Sequence, residues 1–119
     1  MNSILTSIKK MLGIEESYTH FDSDLIMHIN SVFVILKQLG IGPENGFAIE
    51  DRSATWDDYL GSNKNLEFVK TYIYLKVRLL FDPPTSSAMI EAVNKNISEL
   101  EWRINIEAET NTEVNQNVQ

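Results

Sequence analysis

Cysteine is missing from the 119 residues. That absence removes a disulfide framework, a thiolate metal site and a cysteine nucleophile together, and it fits a reducing compartment. Positive charge is scarce as well: ten Lys and Arg stand against seventeen Asp and Glu, a formal net charge of -7. Proteins that grip a phosphate backbone display a concentrated basic surface, so tight nucleic-acid binding is not expected. Long apolar runs are also lacking, since no stretch approaches the roughly 20 residues needed to span a bilayer. The segment from Met1 to Leu12 places Lys9 and Lys10 after its apolar residues and has no long apolar core ahead of a small-residue cleavage site. It is not expected to be a secretory signal.

What is present is a hydrophobic content of 43%, enough for one small domain with a modest core. Ile4, Leu5, Ile8, Met11 and Leu12 recur at helical spacing ahead of Gly13, which predicts a short amphipathic helix over residues 3–12. Asp22 is the expected N-cap of a second helix, with Phe21 stapled onto Ile26. Its apolar face runs through Leu25, Ile29, Val32, Phe33 and Leu36 to a stop at Gly40. From Ile41 to Ala54 the pattern breaks, and Phe47 to Ile49 form a short extended piece whose pairing is open. Thr55 and Asp58 resemble a capping box for one helical turn carrying Trp56, Tyr59 and Leu60.

Residues 64–81 carry two periods at once. Ile73, Leu75, Val77 and Leu79 alternate as in a strand, while Leu66, Val69, Ile73, Val77 and Leu80 follow a helical stripe. An uninterrupted run of about 18 residues is far beyond a usual strand, so helix is predicted, ended by Asp82, Pro83 and Pro84. Thr85, Ser86 and Ser87 offer N-caps for a last helix with a stripe of Met89, Ile90, Val93, Ile97, Leu100 and Ile104. The predicted architecture is all-α, a small four-helix domain with an irregular or hairpin-like insertion between helices two and three. It fills residues 1–107, and residues 108–119, rich in Asn, Gln and acids, are expected to be a disordered tail.

Val32 to Leu36 is uninterruptedly apolar, and Tyr72 to Phe81 is apolar or aromatic except at Lys76 and Arg78. A helix apolar nearly all round must be covered on several sides. Either these two helices are central in the domain, or copies of the chain cover one another. Phe33, Tyr72, Tyr74, Arg78 and Phe81 are the candidate contacts between subunits on the second view.

No catalytic constellation emerges. His20 and His28 stand eight residues apart, not at the i, i+4 spacing of a metal-binding helix. Glu50, Asp51, Asp57 and Asp58 lack the register of a calcium loop and read as solvated or capping acids. Gly40, Gly42 and Gly46 follow a helix, are interrupted by Pro43 and lack a Walker lysine, so they read as a helix stop and a turn. Lys70, Tyr74 and Arg78 share a helix face better suited to solvent or an acidic neighbour than to nucleic acid. Trp102 and Arg103 are residue types enriched at interface hot spots, and Trp102 equally fits a core anchor. No enzyme activity, metal or cofactor is expected.

The run from Lys70 to Pro84 (KTYIYLKVRLLFDPP), with Ser86, Ser87 and Glu99 to Arg103 (ELEWR), resembles the head-to-tail connector, or adaptor, family of long-tailed phages and prophages of Gram-positive bacteria. Ile29 to Ser31, Gln38 to Pro43 (QLGIGP) and Thr55 to Gly61 (TWDDYLG) carry the same resemblance, which spans Ile4 to Glu107. It implies a helical structural subunit that assembles as a homo-oligomeric ring, typically twelve-fold in the virion, beneath the portal protein. Such a ring extends the DNA channel without sequence-specific binding and offers a docking surface to a head-closure or tail protein. It would form in the host cytoplasm and end in the virion, away from any membrane. The resemblance also implies that the C-terminal helix meets the portal, here through Trp102, Arg103 and Ile106. The competing reading is a small helical interaction or regulatory module that acts as a monomer or dimer.

Overall fold

The computed structural model describes the backbone of residues 3–61 and 66–117 and the side chains of 3–61 and 67–106. Five helices follow in chain order: α1 (Ile4–Met11), α2 (Asp22–Gln38), the one-turn α3 (Trp56–Leu60), α4 (Leu66–Phe81) and α5 (Ser87–Asn117). The described residues contain no strand, only an isolated bridge between Ser3 and Thr55. The all-α expectation holds, with the Trp56 turn as the fifth and smallest element. Helix wins over strand at residues 66–81, and the expected start at Lys64 lies outside the described residues.

Local chemistry sets the boundaries. Ser3 Oγ accepts the Thr6 N–H at 3.2 Å and caps α1. Gly40, at φ 92, lets the Gly40 and Ile41 amides turn back onto the Lys37 and Leu36 carbonyls at 3.0 and 2.9 Å, a left-handed stop for α2 that a Cβ would strain. Thr55 and Asp58 form the full capping box: Thr55 Oγ1 accepts the Asp58 N–H at 3.1 Å, and the Asp58 carboxylate accepts the Thr55 N–H at 2.9 Å. Of the three candidate hydroxyls Thr85, Ser86 and Ser87, Ser86 is the cap, its Oγ accepting the Met89 N–H at 3.3 Å, and Ser87 is the first residue of α5.

Asp22 does not cap α2. It lies in the first helical turn behind Phe21, which makes no side-chain cap bond. Its carboxylate instead meets Lys9 Nζ at 2.9 Å. Lys9 is buried, with its other hydrogen bonds going to the Glu16 and Tyr18 carbonyls at 2.9 and 2.7 Å. A buried ammonium needs a counter-charge more urgently than an exposed helix end needs a cap, and that need decides the role of Asp22. Phe21 sets its ring edge-on against Phe81 at 5.1 Å.

α2 packs chiefly on α4, and α5 returns antiparallel along α4, while α1 closes one end. The core between them holds Ile8, Leu25, Ile29, Val32, Leu36, Val69, Ile73, Val77, Val93, Ile97 and Ile104. Overall extents of 51 × 36 × 20 Å make a thin slab, since 20 Å is two helix diameters. Residues 108–117 continue α5 as helix, where composition predicts a disordered tail. Extending a helix already nucleated costs far less than starting one, and the residues beyond Ile106 inherit that advantage.

The insertion 41–54 is neither strand nor hairpin. Asn30, on the flank of α2, donates through Nδ2 to the Ile49 carbonyl at 3.0 Å and accepts the Ile49 N–H at 2.8 Å. One side-chain amide thus supplies what a neighbouring strand would have supplied. Phe47 joins Phe33 and Tyr59 in a three-ring cluster with centroids 4.5 to 5.3 Å apart. Gly42 lies so close to that cluster that an added Cβ would sit 2.8 Å from Tyr59 Cε1.

Candidate assembly surfaces

His20, Asp51, Asp58 and Lys9 are engaged within the fold. His20 stacks edge-on against Phe21 at 4.9 Å, and the described residues hold no group of three potential metal ligands. Asp58 serves the α3 capping box. Asp51 accepts the Ser53 hydroxyl and N–H, and these two hydrogen bonds hold its carboxyl below the usual carboxylate range. A cleft of about 490 Å³ between α1, α2 and residues 50–52 contains Lys9, Asp22, Glu50, Asp51 and Arg52. Lys9, its one buried cation, already serves three oxygen partners there, so the cleft holds no free buried charge for a substrate.

The apolar surplus in α2 and α4 is mostly internal. Val32, Phe33 and Leu36 are buried and Ile35 is half-buried, which leaves Val34 facing out. In α4, Tyr72, Ile73 and Val77 are buried, Tyr74, Leu75, Leu79 and Phe81 are half-buried, and Leu80 is exposed. Phe33 and Tyr72, two of the five residues singled out for subunit contacts, are therefore enclosed by the chain itself. The physical reason is that α2 and α4 form the central pair: loop 41–49 covers Phe33, and α5 covers Tyr72. The Tyr72 hydroxyl donates to the Glu101 carboxylate at 2.7 Å, and burial together with that neighbour pushes the phenol above its ordinary range. Lys76 approaches the same carboxylate at 3.9 Å.

The other three candidates are half-buried. Arg78 donates to the Tyr74 hydroxyl at 3.1 Å, and Phe81 leans on Phe21. Lys70, third member of the stripe with Tyr74 and Arg78, lies over the Trp56 ring at 5.4 Å and near Glu67 at 3.9 Å. The stripe is thus split between intramolecular partners, as its mixed chemistry suggests.

Trp102, which sequence leaves open between core and surface, is 64% exposed. Ile106, one turn further along the same side of α5, is exposed too. Arg103 beside them pairs with Glu99 at 2.9 Å and reaches over the Phe68 ring at 6.0 Å. Periodicity misses Lys9, Asn30 and Glu101 as organising polar residues. The faint signals are a lysine four residues after Leu5, on the apolar side of α1, and an asparagine flanking an otherwise apolar α2 face.

No match was found among curated proteins or among solved structures. The model of the phage connector protein family matches residues 4–111, from the first turn of α1 to deep into α5. A match of that extent covers every packed element, and this chain belongs to the phage head-to-tail connector family.

Proposed function

We propose that this chain is the repeating subunit of a ring set between the portal protein and a head-closure or tail protein, with DNA passing through the opening. The observation that carries the reading is α5. It runs to Asn117 and displays a 64% exposed Trp102 and an exposed Ile106 on its outer side, away from the core residues Val93, Ile97 and Ile104. Large aromatic and apolar side chains grouped in water on a helix mark a docking feature, and Trp and Arg are among the residue types enriched at hot spots. In this reading Trp102, Arg103 and Ile106 address the portal, and the helix beyond them adds contact area. Tyr74, Arg78 and Phe81 contribute to contacts between subunits. The acidic balance of the chain suits a wall beside moving DNA, because a basic lining would retain it.

The test is retention on immobilised portal protein from the same genome. The full chain is expected to bind. Trp102→Ala and a chain ending at Ile106 are each expected to bind at least tenfold more weakly, the size of a hot-spot loss. Undiminished binding by both would remove α5 from the portal contact.

A further inference from the structure

Most helices that face water carry charges on the outer side. α2 does not. From Leu25 to Leu36 it holds no Asp, Glu, Lys or Arg, and its outer stripe is Met27, Ser31 and Val34, with Met27 and Val34 each 59% exposed. On α4 the outer stripe is Phe68, Thr71 and Leu75, and Phe68 is 44% exposed. With Tyr74 beside it and Asn96, Glu99, Leu100 and Arg103 of α5, this stripe lines a groove of about 450 Å³. Because α2 and α4 bury their inner sides against each other, the two outer stripes point away from that contact and form separate surfaces.

We propose that the α2 stripe of one copy seats in the α4–α5 groove of the next, the two helices running antiparallel. The proposal rests on the ring reading above and specifies its contact. Three features fit the two surfaces to each other. The spacings are mirror images: Met27, Ser31, Val34 step by four and three, and Phe68, Thr71, Leu75 by three and four. Antiparallel alignment therefore sets Met27 on Leu75, Ser31 on Thr71 and Val34 on Phe68. The central pair is small, and each hydroxyl is already spent on its own helix, Ser31 Oγ on the Met27 carbonyl and Thr71 Oγ1 on the Glu67 carbonyl, both at 3.0 Å. Neither leaves a donor unpaired when water is excluded, so the backbones are free to approach closely.

Charge fixes the direction. Asp24 and Lys37 bracket the α2 stripe about 20 Å apart, and Glu67 and Arg78 bracket the α4 stripe about 17 Å apart, at 1.5 Å per residue. Run antiparallel, Asp24 comes opposite Arg78, and Lys37 comes within two residues of the level of Glu67. Run parallel, acid would face acid and base would face base. A contact between two different faces also leaves each copy with one of each free, which is the condition for a closed ring or a filament and not for a closed dimer.

The chain's lack of cysteine gives a clean cross-linking background. Ser31→Cys and Thr71→Cys placed in one chain, at two exposed positions, are expected on oxidation to give a ladder of dimers, trimers and higher species on a non-reducing gel. Either substitution alone is expected to stop at a dimer or below. Asp24→Arg is expected to weaken association roughly five- to tenfold, and Arg78→Asp in the same chain to restore it. Light scattering on the unsubstituted chain separates the two levels of the claim. Multimers without a ladder and indifferent to the charge reversal would overturn this contact and leave the ring standing. A chain that stays monomeric at every concentration would overturn both.

Discussion

The two tryptophans mark two regions built on different terms. Trp56 is 1% exposed and donates its indole N–H to Ser7 Oγ at 3.0 Å, at the junction of α1, α3 and the chain entering from residue 54. Around it the polar ties are specific and long in range: Ile4 N–H to the Ala54 carbonyl at 3.0 Å, Lys9 to three oxygens, Asn30 to both backbone groups of Ile49. Trp102 is 64% exposed on a helix held to α4 by apolar contacts, the Tyr72–Glu101 bond, the Lys76–Glu101 approach and Arg103 over the Phe68 ring. The first region spends its large side chains on holding itself together, and the second keeps them at the surface. In a chain this small, a large aromatic residue left in water is better explained by an intermolecular task than by a packing need.

That contrast predicts where substitutions hurt. Trp56→Ala is expected to cost about 3–5 kcal/mol in urea denaturation, the range for deleting a fully buried aromatic side chain. Lys9→Met is expected to cost about 3 kcal/mol or more, because Asp22 and two carbonyls lose a shared buried partner. Adding Asp22→Leu to Lys9→Met should recover much of the loss, as an apolar pair replaces an orphaned carboxylate. Failure to recover would mean that the carbonyl contacts, rather than the ion pair, carry the site.

The same contrast explains what could be read from sequence. Helix positions, the Gly40 stop, the Thr55–Asp58 capping box and the proline break depend on residues a few positions apart, so the pattern is visible in one dimension. Lys9 with Asp22, Asn30 with Ile49 and Tyr72 with Glu101 join residues 13, 19 and 29 apart, and no periodicity reports them. Phe33 and Tyr72 show the limit most clearly. Their hydrophobicity demanded cover, but only tertiary packing decides whether that cover comes from loop 41–49 and α5 or from another copy. Sequence alone leaves Trp102 between core and surface for the same reason. Its place on the outer side of α5 follows from which stripe of that helix faces α4, and Val93, Ile97 and Ile104 took that place.

A smaller effect is expected from Asn30→Ala. It strips the Ile49 N–H and carbonyl of their partner in a half-buried setting, at about 1–3 kcal/mol. Amide exchange at residues 47–50 should rise well before global unfolding, since the amide clamp fastens that loop together with the Phe47 ring and the buried Ile49 side chain. Unchanged exchange there would show that the aromatic cluster and the buried Ile41 and Ile49 side chains hold the loop down without the clamp.

The smallest effect on stability is expected at Trp102. Replacing an exposed side chain without hydrogen-bond or core partners changes stability by about 0.5 kcal/mol or less, so Trp102→Ala should unfold at nearly the same urea concentration as the unsubstituted chain. Iodide should quench Trp102 fluorescence and spare Trp56, and the quenchable fraction should disappear in the variant. The comparison fails if Trp102→Ala destabilises as Trp56→Ala does, because Trp102 would then be holding the fold. If stability is unchanged while portal retention falls, the cost of keeping an aromatic ring in water is accounted for by a contact outside the chain, which is what separates α5 from the rest of the molecule.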